Sequence, residues 1–466
     1  MRIRFIGATH EVTGSKHLIT TESGKKILLD CGMFQGKGKE TDSSNRDLGF
    51  EPRDIDHIIL SHAHIDHSGL IPYLFTLGFE GSVICTDATR NLCSLMLPDS
   101  GFIQEHDIKW YNKKLKKKGL PPIKPIYTHK DAVKAMKLFV GIAVNRDFKI
   151  DENITVKFTN SGHMLGGAVV NLSITENGRT TKIAYTGDVG RPSNRIVKPP
   201  APFPQADILI TESTYGDRIH DPNHESEDAL LNIVENTCVN KGGKLIIPSF
   251  SVGRTQEIVL SLNNWFNEGR LPLIDIYVDS PLSVNVTEVF RMHPECYNKD
   301  LQEVLETDSD PFGFEKLRYI KLVNDSKRLN KLEKPCVIIS ASGMAEAGRV
   351  KHHIKNSIED AKNTILMVGY CAPTTLGARL QQGHEEISIF GKKYKINAAI
   401  KRLESFSGHG DYTEMASFIE CQNKDELQKI FLVHGDYEAA EHYKGYLEEK
   451  GFKNIEIPER DYEIEV

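Results

Sequence analysis

The sequence predicts an α/β protein built from two or three domains, and three observations carry that expectation. Short apolar runs with turn signals fill the first 212 residues, strand and helix alternate from about residue 213, and the first texture returns near residue 395. A chain of 466 residues suits that count at roughly 100–200 residues per domain, and it can bury a full core without staples. Hydrophobic residues at 39% and charged residues at 26% exclude a disordered chain. No run of about 18 apolar residues exists to span a bilayer. The net charge of −6 excludes a wholesale basic surface, so any nucleic-acid contact must come from a local patch. None of the eight cysteines forms a C-x-x-C pair, which argues against a thiolate zinc site. The first residues run directly into strand-like sequence, so the expectation is a cytoplasmic protein with reduced thiols and no export leader.

The elements follow in order. Ranges 1–7, 16–20 and 26–30 read as a meander of strands, and 56–60 as a further strand ending at Ser61-His62. Strands are expected at 82–86 and 155–159. Two more, at 169–175 and 182–186, are joined by Glu176-Asn177-Gly178, a hairpin signal. A Pro-rich connector over 199–204 leads to a strand at 207–211, and helices are expected at about 68–77 and 89–118. Beyond residue 213 the order is helix 225–241, strand 244–248, helix 255–268 and strand 274–278, with further strands at 336–340 and 364–368. That alternation predicts βαβ units and a mostly parallel sheet. A strand at 430–433 ending at His434-Gly435 and a helix at 437–450 close the chain. Lys113-Lys114-Leu115-Lys116-Lys117-Lys118 is the one charge run.

Ser61-His62-Ala63-His64-Ile65-Asp66-His67 packs three imidazoles and a carboxylate between a strand and a helix. His62 and His64, as i and i+2 neighbours, point one way, and Asp66 and His67 can turn toward a second point. Imidazole nitrogen and carboxylate oxygen suit zinc.

This H-x-H-x-D-H turn resembles the metallo-β-lactamase superfamily. Asp30 in Leu28-Leu29-Asp30-Cys31-Gly32 matches the family's first motif, an aspartate that braces the histidine turn. His163 in Ser161-Gly162-His163 matches the third and Asp188 in Thr186-Gly187-Asp188 the fourth. Thr211-Glu212-Ser213-Thr214-Tyr215-Gly216, Ser407-Gly408-His409-Gly410-Asp411 and Leu432-Val433-His434-Gly435-Asp436 resemble the three motifs of the β-CASP subgroup. Its compact bacterial ribonucleases, related to the endonuclease subunit of the messenger-RNA 3′-end machinery, look most similar. The resemblance implies an αββα metallo-β-lactamase sandwich with an inserted βαβ parallel-sheet β-CASP domain. The expected division is 1–212 and 395–466 for the hydrolase domain and 213–394 for the insertion.

The resemblance further implies two zinc ions, one on His62, His64 and His163, the other on Asp66, His67 and His434, with Asp188 bridging. A hydroxide shared between the ions would attack the phosphodiester. His409 would protonate the leaving 3′-oxygen, its other ring nitrogen held by Glu212. Arg254, Ser342 and Ser407 are expected to contact the RNA backbone. The expected activity is a ribonuclease on single-stranded RNA, most simply an endonuclease, with 5′-exonuclease action left open and a homodimer left open. The alternatives are a DNA-processing nuclease of the same subgroup and a small-molecule metallohydrolase. His434 favours RNA, because DNA-directed members tend to carry an apolar residue there. The insertion and the Glu212/His409 pair argue against a small substrate.

Overall fold

Residues 1–36, 40–220, 228–369, 371, 374–403 and 408–466 are described by the computed structural model. Ser407 and the first residues of the helix expected over 225–241 lie outside them. The chain forms two compact units, Met1–His220 with His409–Val466, and Asp221–Gly408.

The first unit is two sheets face to face. Strand Arg2–Gly7 pairs antiparallel with Lys16–Thr20, which pairs with Lys26–Leu29. Parallel strands His57–Ile59, Ser82–Thr86 and Phe139–Ile142 extend that sheet, and Tyr462–Glu465 pairs on its other side with Arg2–Gly7. The second sheet runs Ile455–Glu456, Lys429–Val433, Ile208–Glu212, Arg179–Tyr185, Ala168–Glu176, Ile154–Asn160, Asp147–Lys149. Period-two alternation explains how it is covered on both faces. Ile208, Ile210, Phe431 and Val433 face inward and pack with Ile3, Phe5, Ile27 and Leu29 of the first sheet. Leu209, Ile430 and Leu432 face outward onto Met415, Ile419, Tyr443 and Leu447 of helices Tyr412–Ile419 and Tyr437–Glu449. Helix Asp87–Lys117 buries Leu92, Cys93, Met96 and Leu97. These layers are the αββα sandwich that was expected.

The second unit holds a six-stranded sheet in the order Leu317–Tyr319, Asp275–Val278, Cys336–Ser340, Lys244–Pro248, Thr364–Val368, Ala399–Leu403. Every pairing in it is parallel, as strand–helix alternation demands.

Several expectations need correction. The second unit's sheet includes Ala399–Leu403, and the compact units divide after residues 220 and 408, where the expected division fell after 212 and 394. Ala399–Leu403 went unread because exposed Lys401 and Arg402 leave it too little apolar pattern. The helix expected over 68–77 is two pieces, Ile65–Ser68 and Ile71–Thr76. Within the range of the helix expected at 225–241, Asp228–Val234 gives way to a π-helical turn, Glu235–Asn240. Hairpin Glu386–Ile389 and Lys392–Lys395 was missed; its turn, Phe390-Gly391, takes positive φ at both residues, as tight hairpins require. Among the described residues no helix is long and apolar enough to cross a membrane.

Candidate metal centre

Strands Arg179–Tyr185, Ile208–Glu212 and Lys429–Val433 are parallel neighbours, so their C-terminal ends reach one edge of the sandwich. Asp188, Glu212 and His434 sit at those ends. Strand His57–Ile59 of the facing sheet delivers the turn His62–His67, and the loop after Ile154–Asn160 delivers His163.

The structure brings the seven expected donors together as two sets. In the first, His62 Nε2 and His163 Nε2 each lie 3.1 Å from His64 Nδ1 and 3.3 Å from Asp188 Oδ2. In the second, His67 Nε2 is 3.1 Å from His434 Nε2 and 3.2 Å from Asp188 Oδ1. Asp66 Oδ2 is 3.6 Å from His434 Nε2. Tetrahedral ligands bonded to zinc at about 2.0–2.1 Å stand about 3.3–3.4 Å apart, so both sets have the spacing of a cation's shell. Asp188 offers one oxygen to each set. Its Oδ1 is buried with no hydrogen-bond partner among the described residues, an arrangement that is costly unless a cation faces it.

The electrostatics differ between the sets: burial opposes a charge on His67 of the second set, but Asp188 and Asp30 outweigh it and raise the imidazole well above its ordinary value. Burial pushes His64 down to about 3 and lowers His62 and His163 as well, which keeps these imidazoles neutral, the form a metal binds. Burial opposes the charge on Asp188, yet His434 and His67 hold its carboxyl well below the usual range.

Three of the rings are oriented from behind. His67 Nδ1 donates to Asp30 Oδ2 at 2.7 Å. Asp30 also accepts from the Ser61 N–H, the Ser61 hydroxyl and the Tyr185 hydroxyl, each at 2.7 Å. Ser61 Oγ in turn lies 3.0 Å from His62 Nδ1. The Thr214 hydroxyl donates to the His434 carbonyl at 2.9 Å and accepts from His434 Nδ1 at 3.0 Å. These bonds commit Nδ1 of three rings and leave Nε2 for the cation. Asp30 thus occupies its expected bracing position. Ser61, Tyr185 and Thr214 were missed, because a lone hydroxyl carries no sequence signature. His17 was missed too: it is buried beside Tyr185 with no hydrogen-bond partner for either ring nitrogen among the described residues, and burial pushes it down to about 3.

Glu212 is fully buried. Its carboxylate accepts from the Val189 N–H and, at 3.0 Å, from His409 Nδ1. Burial opposes a charge on His409, but Glu212 outweighs it and raises the imidazole to about 10. The His409 ring lies 4.6 Å from that of His163, at the first donor set. His220 Nε2 donates to the His409 carbonyl at 2.9 Å, and the His220 N–H donates to Asp411 at 3.0 Å. Asp411 and Glu414, which cluster with His220, form the capping box of helix Tyr412–Ile419.

Arg254 and Ser342 belong to the second unit. The Arg254 guanidinium pairs with Glu257 at 3.1 Å and donates to the Val368 carbonyl at 3.2 Å. Ser342 Oγ accepts from the N–H groups of Glu346 and Ala347, a turn-capping role. His353 holds Asp279 at 2.6 Å.

A sandwich whose strand ends carry two His/Asp sets sharing one carboxylate defines a metal-dependent hydrolase. Residues 14–237 match the metallo-beta-lactamase superfamily, 255–380 the Beta-Casp domain, and 393–458 the Zn-dependent metallo-hydrolase RNA specificity domain. A ribonuclease of Thermus thermophilus is 32% identical over 438 residues, 94% of each chain. An RNase J-like protein of Methanocaldococcus jannaschii is 33% identical over 437 residues, 93% of this chain and 92% of that one. Transcription termination factor FttA of the same archaeon is 33% identical over 447 residues, covering 94% of this chain and 67% of its own length. The chain belongs to the β-CASP family of metallo-β-lactamase-fold hydrolases.

Proposed function

We propose that the protein is a zinc-dependent ribonuclease that hydrolyses RNA phosphodiester bonds. The observation that carries the reading is the Glu212–His409 pair beside two donor sets that share Asp188. Relatives named as ribonucleases and the match to an RNA specificity domain support RNA as the substrate.

In this reading His62, His64 and His163 would hold one zinc ion, Asp66, His67 and His434 the other, and Asp188 would serve both. When bound, the pair supplies a water acidic enough to be a nucleophile near neutral pH and positive charge for the phosphoryl oxygens. Asp30 fixes the His67 ring and Thr214 the His434 ring. Glu212 keeps His409 protonated, so that Nε2 can give its proton to the leaving 3′-oxygen. Ser342 and Ser407 are proposed contacts to the RNA backbone, and Arg254 would have to exchange Glu257 for a phosphate. Eight free cysteines and an RNA substrate fit a cytoplasmic protein.

Purified protein should carry close to two zinc ions per chain and cut internally labelled single-stranded RNA, with chelation abolishing cleavage and added zinc restoring it. Equal cleavage of matched single-stranded DNA would replace this reading with the DNA-processing one. Turnover of small esters alone would end both.

A further inference from the structure

We infer that the distal half of helix Asp87–Lys117, with the loop behind it, is a second binding surface for single-stranded RNA, remote from the metal centre. The identity of the polyanion rests on the ribonuclease reading; the surface rests on four observations.

The first is charge. Lys109, Lys113, Lys114, Lys116, Lys117 and Lys118 are all exposed, and no Asp or Glu occurs between residues 108 and 130. In a chain of net charge −6 this is a basic island. The helix dipole accounts for lysines in the last turn but not for Lys109. The second is aromatic exposure. Trp110 is 59% and Tyr111 49% exposed, and Lys114 Nζ sits 3.4 Å from the centre of the Trp110 ring. Trp110, Lys113, Lys114 and Lys117 follow i, i+3, i+4, i+7 and share one helix face. Flat rings among lysines are how non-specific single-strand binders stack bases while tracking the backbone.

The third is rigidity. The Asn112 side chain holds both the N–H and the carbonyl of Ile123 at 2.9 Å. Arg46 donates to the Lys124 carbonyl at 2.7 Å, and the Ile126 N–H donates to Gln104 at 3.2 Å. The platform is therefore pre-formed, which lowers the ordering cost of binding. The fourth is position. The same helix begins at the metal centre, where the Thr86 and Thr89 hydroxyls hold the Gly166 carbonyl at 2.7 and 2.9 Å, in the loop that follows His163. At 1.5 Å per residue Trp110 lies about 35 Å further along the helix. A stacked strand rising 3.4 Å per phosphate needs about ten nucleotides to reach both places.

The test compares cleavage of RNAs of about five and about thirty nucleotides by wild type, by the triple variant Lys113→Gln/Lys114→Gln/Lys117→Gln, and by Trp110→Ala. Direct binding of the longer RNA is measured alongside. For the long RNA the triple variant should raise KM about tenfold or more and reduce the slope of log K against log salt by about two. Trp110→Ala should raise KM about fivefold or more. In both, kcat and the kinetics on the short RNA should hold. Unchanged long-RNA KM and salt slope would overturn the inference, as would equal losses on short and long RNA. Binding of polyglutamate by wild type but not the triple variant, with RNA kinetics unaffected, would make this a protein-docking surface and overturn it too. A wild type that binds the long RNA through these residues yet cleaves neither substrate would remove the ribonuclease reading and leave the surface standing.

Discussion

At His409 a burial penalty and a carboxylate compete, and Glu212 at 3.0 Å wins, raising the imidazole to about 10. Because the folded value lies above the ordinary 6.5, the pair's stabilisation is fully present below about pH 6.5 and is lost as pH rises through about 10. The same shift keeps His409 protonated at neutral pH. His409→Ala should lower kcat by about 10²–10⁴ with metal content intact, and a substrate with a better leaving group should partly rescue it. Glu212→Gln should cost less and move the alkaline fall of kcat to lower pH, read from a pH–rate profile. Zinc loss on replacing His409 would make it a ligand or a prop. At this scale the donors were legible because they are dense: Asp66 and His67 follow His62 and His64 within six residues. Tyr185 was not, because its partner Asp30 lies 155 positions away along the chain.

Among the elements, the loops carrying His163 and Asp188 also approach backbone to backbone, where the Gly190 N–H donates to the Ser161 carbonyl at 2.8 Å. A Cβ on Gly190 would lie 1.8 Å from the Gly162 carbonyl oxygen, so no side chain fits. Gly190→Ala should cost about 3 kcal/mol or more and lower bound zinc, measured by thermal unfolding and elemental analysis. Gly445→Ala is the control: its Cβ meets nothing within 4 Å inside helix Tyr437–Glu449, and it should be neutral or stabilise by up to about 1 kcal/mol. A Gly190 variant with wild-type Tm and zinc content would refute the close approach. Alternating strands such as Ile208–Glu212 could be read from sequence because both faces are buried. Edge strands could not. In Tyr462–Glu465 every residue is at least partly exposed, and its pairing with Arg2–Gly7 joins the two ends of the chain.

For the whole molecule, the change of texture and the parallel sheet were legible in the pattern and the αββα layers only through the family resemblance, whereas the unit boundaries depended on pairings such as Thr364–Val368 with Ala399–Leu403 that texture does not encode. The chain leaves the first unit at His220 and re-enters at His409, and those two residues share the hydrogen bond from His220 Nε2 to the His409 carbonyl. A folded insertion with adjoining ends imposes no loop-closure entropy on its host. An unfolded insertion of roughly 190 residues would impose about 4–5 kcal/mol. Damage confined to the second unit should therefore loosen the metal centre without touching it. Ile338 is buried in the second unit's core, and Ile338→Ala should cost that unit about 2–5 kcal/mol. In urea the variant should release zinc to a chromophoric chelator at a lower midpoint than wild type. Release at an unchanged midpoint, with the second unit already unfolded, would mean that His220 and His409 carry no such linkage; a shifted one would make the insertion's own stability a control on how long the chain keeps its metal.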